Sequence, residues 1–417
     1  MRAEGMRRGN ASAVLRAVLT GGPLSRADIA RSTGLSAPSV TKLTAVLVEA
    51  GVLREEAPLE AAQGRPRVPV GVDPRGPAAL GVHIGLLRTT LGLVALDGTV
   101  AAQRVLDHDA PADGGLDPRR IAEQAVDGAR EFLADRLGGR RILGTGISLG
   151  GWVDGDTGTV VEHSALGWSD VRLLELLDGR LPGPVLLDQN VRASARAELW
   201  FGAGREVDDF VYVFFGNILG AAVVVDRSVH RGPGAAAGGI EHLPVSGEPG
   251  TPCPCCGAAC LSAVASDAAL VERARTAGIL SAADEHLPLE RLIAAARPAG
   301  TGSGDLRAQE LLRTRARHAG RAVATVVDLL NPSRVVLAGG IVAADEYLAD
   351  LRQEITDRVH RGWSATERVV TSTFGSGTLV VASAMPLLEG VYQDPIALLG
   401  PEGREGREGP AAQGVAS

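Results

Sequence analysis

The sequence predicts an α/β protein in two parts, a small helical head followed by a duplicated α/β body. Three observations carry this reading. Residues 11 to 51 show three short amphipathic helical patterns punctuated by glycines. Beyond Pro74 a succession of strand meander, helix and strand occurs and then recurs. Charge divides with the texture: the first 75 residues carry eleven basic and seven acidic side chains, a net of +4, while the whole chain carries −7. A small basic module on an acidic body suits a polyanion-binding head.

In the head, "ASAVLRAVLTGG" places Val14, Leu15, Val18 and Leu19 on one helical stripe that stops at Gly21 and Gly22. "SRADIARSTG" starts a second helix with Ser25 as N-cap and turns sharply at Gly34. "SAPSVTKLTAVLVEAG" starts a third, with Ser36 as cap and Pro38 in the first turn, where a missing N–H costs little. Val40, Leu43 and Leu47 fall on the inward face of this helix, and Gly51 ends it. Two short helices joined by a glycine turn describe a helix-turn-helix. Ser36, Ser39, Thr41 and Lys42 are then the residues presented to a major groove. "VLREEAPLEAAQGRPRVPVGV" follows as a two-stranded wing, with Arg65 and Arg67 at its tip or return and facing phosphates or the minor groove. A winged helix-turn-helix over residues 1–75 is the expectation, with an ordinary three-helix packing module as the alternative.

The body, residues 76–398, begins with "ALGVHIGLLRTTLGLVALDGTVAAQRVL", consecutive strands with a turn at Asp97-Gly98. An alanine-rich helix follows ("PRRIAEQAVDGAREFLADRL"), then strand "ILGTGISLGGWVD". Strand "PVLLDQN" then leads into helix "VRASARAELWFG". "DDFVYVFFGNILGAAVVVDRSVHRG" reads as two further strands, and "HAGRAVATVVDLLNPSRVVLAGGIV" as a helix running into a buried strand. Residues 399–417 are low-complexity and expected to be disordered.

At 45% hydrophobic and 22% charged residues, and with no apolar run near the ~20 needed to cross a bilayer, the chain reads as a cytoplasmic protein without a membrane partner. The N-terminus starts basic but has no uninterrupted apolar segment, so no signal peptide is expected. All four cysteines lie in "CPCCGAAC", residues 253 to 260. Neighbours such as Cys255 and Cys256 staple nothing distant, so a disulfide framework is a poor reading. A tetrahedral structural zinc wants four ligands, and His242 stands eleven residues before Cys253. Three cysteines with this histidine would close such a site; a reduced loop with incidental thiols is the alternative.

These segments together resemble the ROK family of repressors and sugar kinases. The resemblance covers residues 10 to 395 and rests on "GISLGGWVD", "LGWSDVRL", "NPSRVVLAGG" and the run "HLPVSGEPGTPCPCCGAAC", after a head like that of the family's repressor branch, which includes xylose- and N-acetylglucosamine-responsive members. It implies a duplicated α/β body of the actin-like ATPase (sugar kinase/ROK) type. It also implies zinc held by His242, Cys253, Cys255 and Cys260, with Cys256 a bystander where the family usually has glycine.

Departures from the kinase pattern carry as much information. Where family kinases have the Asp that takes the proton from a sugar hydroxyl, this chain has Asn190, and an amide cannot accept that proton at neutral pH. Gly239 and Ser262 stand where the family places sugar-contacting glutamates. His83 replaces the acid of the first phosphate loop, whose turn lacks its Gly-Thr pair. Catalytic residues are therefore not expected. A DNA-binding transcriptional regulator, in the repressor sense, is the expected function, the body serving to dimerise and to sense an effector. Asn190, Arg192, Glu241 and His242 are the residues left to line an effector cleft, for a sugar or sugar phosphate. Control of sugar transport or metabolism follows as an expectation. The alternatives are an active sugar kinase and a regulator with no sugar effector. One head makes too few base contacts for a selective site, so a homodimer or homotetramer reading an inverted-repeat operator in double-stranded DNA is expected.

Overall fold

Three helices and three short strands build the head: α1 (Arg2–Gly21), β1 (Leu24–Ser25), α2 (Arg26–Thr33), α3 (Ala37–Glu49), β2 (Leu53–Glu55) and β3 (Pro69–Val72). The structure is a computed structural model and describes residues 2–58, 68–108, 115–245, 253, 257, 259–281, 287–298, 303–360, 362–374 and 378–397. Both predicted caps form. Ser25 Oγ accepts the Asp28 N–H at 3.3 Å, and Ser36 Oγ accepts the Ser39 N–H at 3.4 Å, each satisfying a donor the first turn would leave open. Gly34, at φ 70°, supplies the left-handed turn between the two helices. Ile29, Val40, Leu43 and Leu47 are buried. β2 and β3 pair antiparallel, and β1 joins the other edge of β3, which makes the three-stranded wing sheet. Arg65 and Arg67 lie outside the described residues.

The first lobe runs β4 (Ala78–Ile84), β5 (Arg88–Ala95), β6 (Val100–Asp107), α4 (Pro118–Arg136), β7 (Ile142–Leu149), β8 (Trp152–Asp154), β9 (Thr159–His163), β10 (Trp168–Val171), α5 (Leu173–Leu177), β11 (Val185–Gln189) and α6 (Asn190–Phe201). The second runs β12 (Phe210–Phe215), β13 (Leu219–Val225), β14 (Ser228–Val229), α7 (Leu261–Ala265), α8 (Asp267–Thr276), α9 (Pro288–Ala296), α10 (Leu306–Leu330), β15 (Arg334–Gly339), α11 (Leu348–Thr356), α12 (Ala365–Arg368), β16 (Val369–Thr371) and α13 (Thr378–Gln393).

The duplication is visible in strand order. The first sheet is β11-β7-β4-β5-β6, with β11, β7 and β4 parallel and an antiparallel meander on the other side. The second is β16-β15-β12-β13-β14, with the same mixture in the same order. The sequence pattern runs β7 and β8 together as one strand. The chain instead breaks at Gly150-Gly151, where Gly151 takes φ 78°, and builds a separate three-stranded sheet from β8, β9 and β10.

Alternation along the strands fixes what each face covers. Phe210 and Tyr212 pack on Val191, Ala195 and Leu199 of α6, while Val211, Val213 and Phe215 face the helices of the second lobe. α13 covers the first sheet and packs against α6, so the last of the described helices closes the lobe that comes first. It comes close because glycine stands beneath it: a Cβ at Gly81 would lie 2.2 Å from the Val380 carbonyl oxygen, and one at Gly146 would lie 1.9 Å from that of Ser383.

The head is continuous with this core. Ala11, Val14, Leu15 and Val18 of α1 belong to the same buried cluster as Val94 and Leu96 of the first lobe, Trp200 of α6, and Met385, Leu388 and Tyr392 of α13. Arg16 lies over the Trp200 ring at 5.2 Å, and Arg8 pairs with Asp394 at 3.3 Å.

Candidate functional site

The outward face of α3 is the candidate nucleic-acid interface. Burial of Val40, Leu43 and Leu47 turns Thr41 and Lys42 to solvent, and Ser36 is also exposed. Ser39 is half-buried, and its hydroxyl lies 2.9 Å from that of Ser36, so the two hydroxyls are engaged with each other at the helix start. The Thr41 hydroxyl donates to the Ala37 carbonyl at 2.9 Å, leaving its methyl and remaining lone pair outward. Behind this face Arg26 ties the head together, donating to Thr44 Oγ1 at 3.1 Å and to Glu55 at 2.7 Å.

The metal candidates come together through a short antiparallel strip. Leu261 N–H donates to the Leu243 carbonyl at 2.9 Å, Ser262 N–H to that of Glu241 at 2.8 Å, and Val245 N–H to that of Ala259 at 3.3 Å. This register sets His242 beside Cys260. The ligand atoms of His242, Cys253 and Cys260 all lie within 4.8 Å of one another, and Cys253 Sγ is 3.8 Å from His242 Nδ1. Such separations fit donors around one tetrahedral ion, whose bonds run about 2.0–2.3 Å. Burial pushes the Cys260 thiol up to about 11, the cost of an anion that a divalent cation would offset. Cys255, the remaining expected ligand, and Cys256 lie outside the described residues.

Asn190 opens α6 and Glu241 lies on the loop that precedes α7, both half-buried. Close contacts join the start of α6 to β13, and β13 to the loop that carries Glu241. A Cβ at Gly220 would meet Val191 at 3.1 Å and the Gln189 amide at 3.7 Å, the Ala221 N–H donates to the Gly238 carbonyl at 2.8 Å, and Gly239 faces the Glu241 carboxylate.

Arg192 requires a correction. The sequence places it among the cleft residues, but it is 2% exposed and its guanidinium is spent on structure. It donates to Asp188 at 3.1 Å, to the Val153 carbonyl of the first lobe at 2.8 Å and to the Ala235 carbonyl of the second at 2.8 Å. An arginine four residues after an aspartate on a helix start was the available signal, since i,i+4 pairs meet.

A polar series continues from this bolt to the head. Asp188 also meets Arg196 at 3.4 Å; Arg196 meets Glu389 at 2.6 Å; and Glu389 accepts the Trp200 indole N–H at 3.2 Å, beneath Arg16 of α1. Asp188, Arg192, Arg196 and Trp200 recur every four residues, which the sequence shows as one helical face; Glu389 and Arg16, far away in the chain, are the members it could not place.

His83, in the acid position of the first phosphate loop, is buried, and burial lowers its pKa to about 4. Its Nδ1 lies 3.2 Å from Ser148 Oγ, which lies 2.7 Å from Ser383 Oγ. It is a neutral core histidine.

Comparison with known proteins agrees with this geometry. Residues 79–385 match the ROK family and residues 6–61 match the MarR family. A transcriptional regulator of Mycobacterium tuberculosis is 34% identical over 93% of this chain and 87% of its own length. The Escherichia coli DNA-binding transcriptional dual regulator NagC is 28% identical over 81% of this chain and 82% of its own. Among solved structures, a ROK family transcriptional regulator described as a homologue of E. coli MLC superposes with a TM-score of 0.74 at 26% identity, over 93% of this chain and 97% of that one. A ROK family glucokinase from Streptomyces griseus, in complex with glucose and AMPPNP, reaches 0.61 at 25% identity over 74% of this chain and 98% of that one. The chain belongs to the ROK family and couples a helix-turn-helix head to its actin-like α/β body, as the family's transcriptional regulators do.

Proposed function

We propose that this regulator represses transcription by inserting α3 into the major groove of an inverted-repeat operator, as a homodimer or homotetramer, and that a small molecule bound between its lobes changes that affinity. The observation that carries the reading is the outward face of α3, with Thr41 and Lys42 exposed opposite a fully buried stripe, on a head packed directly onto the body. Ser39, Thr41 and Lys42 read or position bases, Ser36 sets the helix start, and Arg65 and Arg67 of the wing meet phosphates or the minor groove.

Several relatives carry names that point to sugars, among them an N-acetylglucosamine repressor and a putative xylose repressor. A sugar or sugar phosphate is accordingly the effector class, and Asn190, Glu241 and His242 are the side chains that border its place, with genes of sugar transport or metabolism as targets. Zinc on His242, Cys253, Cys255 and Cys260 would be structural, fixing the loop that carries Glu241. Asn190 supplies no base for phosphoryl transfer. No helix among the described residues is long and apolar enough to cross a membrane, and the cytoplasm is the proposed compartment.

Selection of bound sequences from a random DNA library by the full-length chain tests the reading. The expected product is an inverted repeat with half-sites whole helical turns apart. Failure to enrich any sequence, together with hexose-dependent ATP turnover, would point to the kinase alternative instead.

A further inference from the structure

The carboxyl ends of parallel strands are where open α/β sheets hold ligands. In the second lobe β12 and β15 end side by side, Phe215 paired with Gly339. The chain then turns through Gly339-Gly340. Gly339 takes φ 88°, and a Cβ on it would lie 2.2 Å from the Phe215 carbonyl oxygen, so only glycine lets the two strand ends approach this closely.

What covers this turn is the chain itself. A Cβ on Gly340 would fall 2.3 Å and 2.6 Å from the two carboxylate oxygens of Asp267, and 2.5 Å from Leu289 Cδ2. Asp267 is fixed there at both ends. Its N–H donates to the Gly216 carbonyl at 2.9 Å, and its carboxylate receives an N–H of Arg315. Arg315 is 2% exposed and reaches across from α10, donating also to the Ala265 carbonyl at 2.9 Å and the Phe215 carbonyl at 3.4 Å. Its Nη1 is buried without a hydrogen-bond partner among the described residues. Burial pushes the Asp267 carboxyl up and the Arg315 guanidinium opposes that shift. A bare glycine turn, a buried cation with an unused N–H and a carboxylate pressed between them have the chemistry of an anion seat already filled.

We propose that the second lobe holds an anion seat masked by the chain's own Asp267, whose carboxylate occupies the place between Arg315 and Gly340 that a phosphate takes when it is removed. The seat is thus closed to nucleotide phosphates by charge and by volume. This closure is independent of Asn190, and it holds whether or not the head reads an operator. Restoring a carboxylate at position 190 alone would therefore not restore phosphoryl transfer.

Thermal unfolding of the full-length chain in chloride, in sulfate and in inorganic phosphate, at matched ionic strength, tests this. The wild type should show only the general rise that an excluded anion gives any folded protein, equal in phosphate and in sulfate, and the seat is read as the rise beyond that of the wild type. Asp267→Ala should unfold earlier in chloride and rise in phosphate by at least about 2 °C more than the wild type does, in a dose-dependent way, as expected of an anion that binds only the native state. The double variant Asp267→Ala/Arg315→Met should show no phosphate response beyond that of the wild type. Should Asp267→Ala be unfolded in chloride, recovery of folded protein in phosphate supports the seat, and the smaller neutral side chain of Asp267→Ser is measured in the same way. A phosphate response in the wild type equal to that of the variants overturns the proposal, as does the absence of any response in both single variants.

Discussion

Arg192 and Arg315 are both 2% exposed and both pair with an aspartate, yet the two sites differ in completeness. Arg192 uses its guanidinium to join the lobes, with one carbonyl taken from each and Asp188 between. Arg315 stays within the second lobe and leaves Nη1 without a partner among the described residues. A buried charge that satisfies every donor is a structural bolt. One that leaves a donor over, beside a carboxylate that faces a glycine turn, is where the masked anion seat is proposed.

The largest effect should come from breaking the bolt. Arg192→Met leaves Asp188 buried without its main partner and two carbonyls unpaired, a loss of about 3–5 kcal/mol. Chemical denaturation should show it as a lower midpoint, whereas Arg192→Met combined with Asp188→Leu should recover part of the loss because no unpaired charge remains. An unchanged midpoint in the single variant would show that the bolt holds nothing.

The next effect probes the first lobe through pH. His83 and His163, both in the first lobe, have pKa values lowered to about 4, chiefly by burial. An unfolded chain takes up protons on histidine near pH 6.5, and the native one does not until near pH 4. Their contribution is present above pH 6.5 and is lost as pH falls through that window, by up to about 3 kcal/mol each. Hydrogen exchange between pH 7 and 5 should therefore show the first lobe losing protection, and His83→Gln should flatten the pH slope.

How far the sequence carries can be seen in these same residues. The caps Ser25 and Ser36, the glycine turn at Gly34 and the stripe Val40, Leu43 and Leu47 are local signals, and the structure bears them out. The doubled succession of meander, helix and strand along the chain was also legible, because strands and helices have different periods; the order of strands within each sheet was not. The side sheet was hidden, since β8 is only three residues long and a glycine pair separates it from β7. The burial of Arg192 and the Asp267–Arg315 pair could not be read from composition. A polar residue does not announce which way it faces, and Asp267 and Arg315 stand 48 residues apart. For the same reason the seam between α1 and α13 was not visible. Glu198 illustrates the limit: its buried carboxylate accepts the Ala203 N–H at 2.6 Å and the Thr373 N–H at 2.9 Å, holding the end of α6 to the exit of β16, a segment 175 residues away.

Smaller effects belong to the head seam and to the metal. Arg16→Ala removes a cation from the face of Trp200 and should cost about 0.5–1 kcal/mol in stability, since Arg16 is exposed. If the series from Arg192 to Trp200 carries lobe geometry to the head, this variant should change operator affinity by more than its stability loss explains; an affinity equal to wild type would limit the seam to packing. Smallest of all is Cys256→Ser. Elemental analysis should find one zinc per chain before and after that change and far less after Cys260→Ser. Metal well below one equivalent in the wild type would exclude a resident zinc.

Whether the head reads an operator is decided by a salt-dependent binding titration of the full-length chain on a selected operator and on a scrambled duplex, for wild type and Lys42→Ala. The wild type should prefer the operator by about 10³-fold or more. If Lys42 meets a phosphate, Lys42→Ala should lower affinity for both duplexes alike and reduce the salt slope by about one; if it meets a base, the change should cost about 1–3 kcal/mol on the operator alone. Equal affinity of the wild type for both duplexes, or a Lys42→Ala titration superposable on that of the wild type, would contradict operator reading by α3.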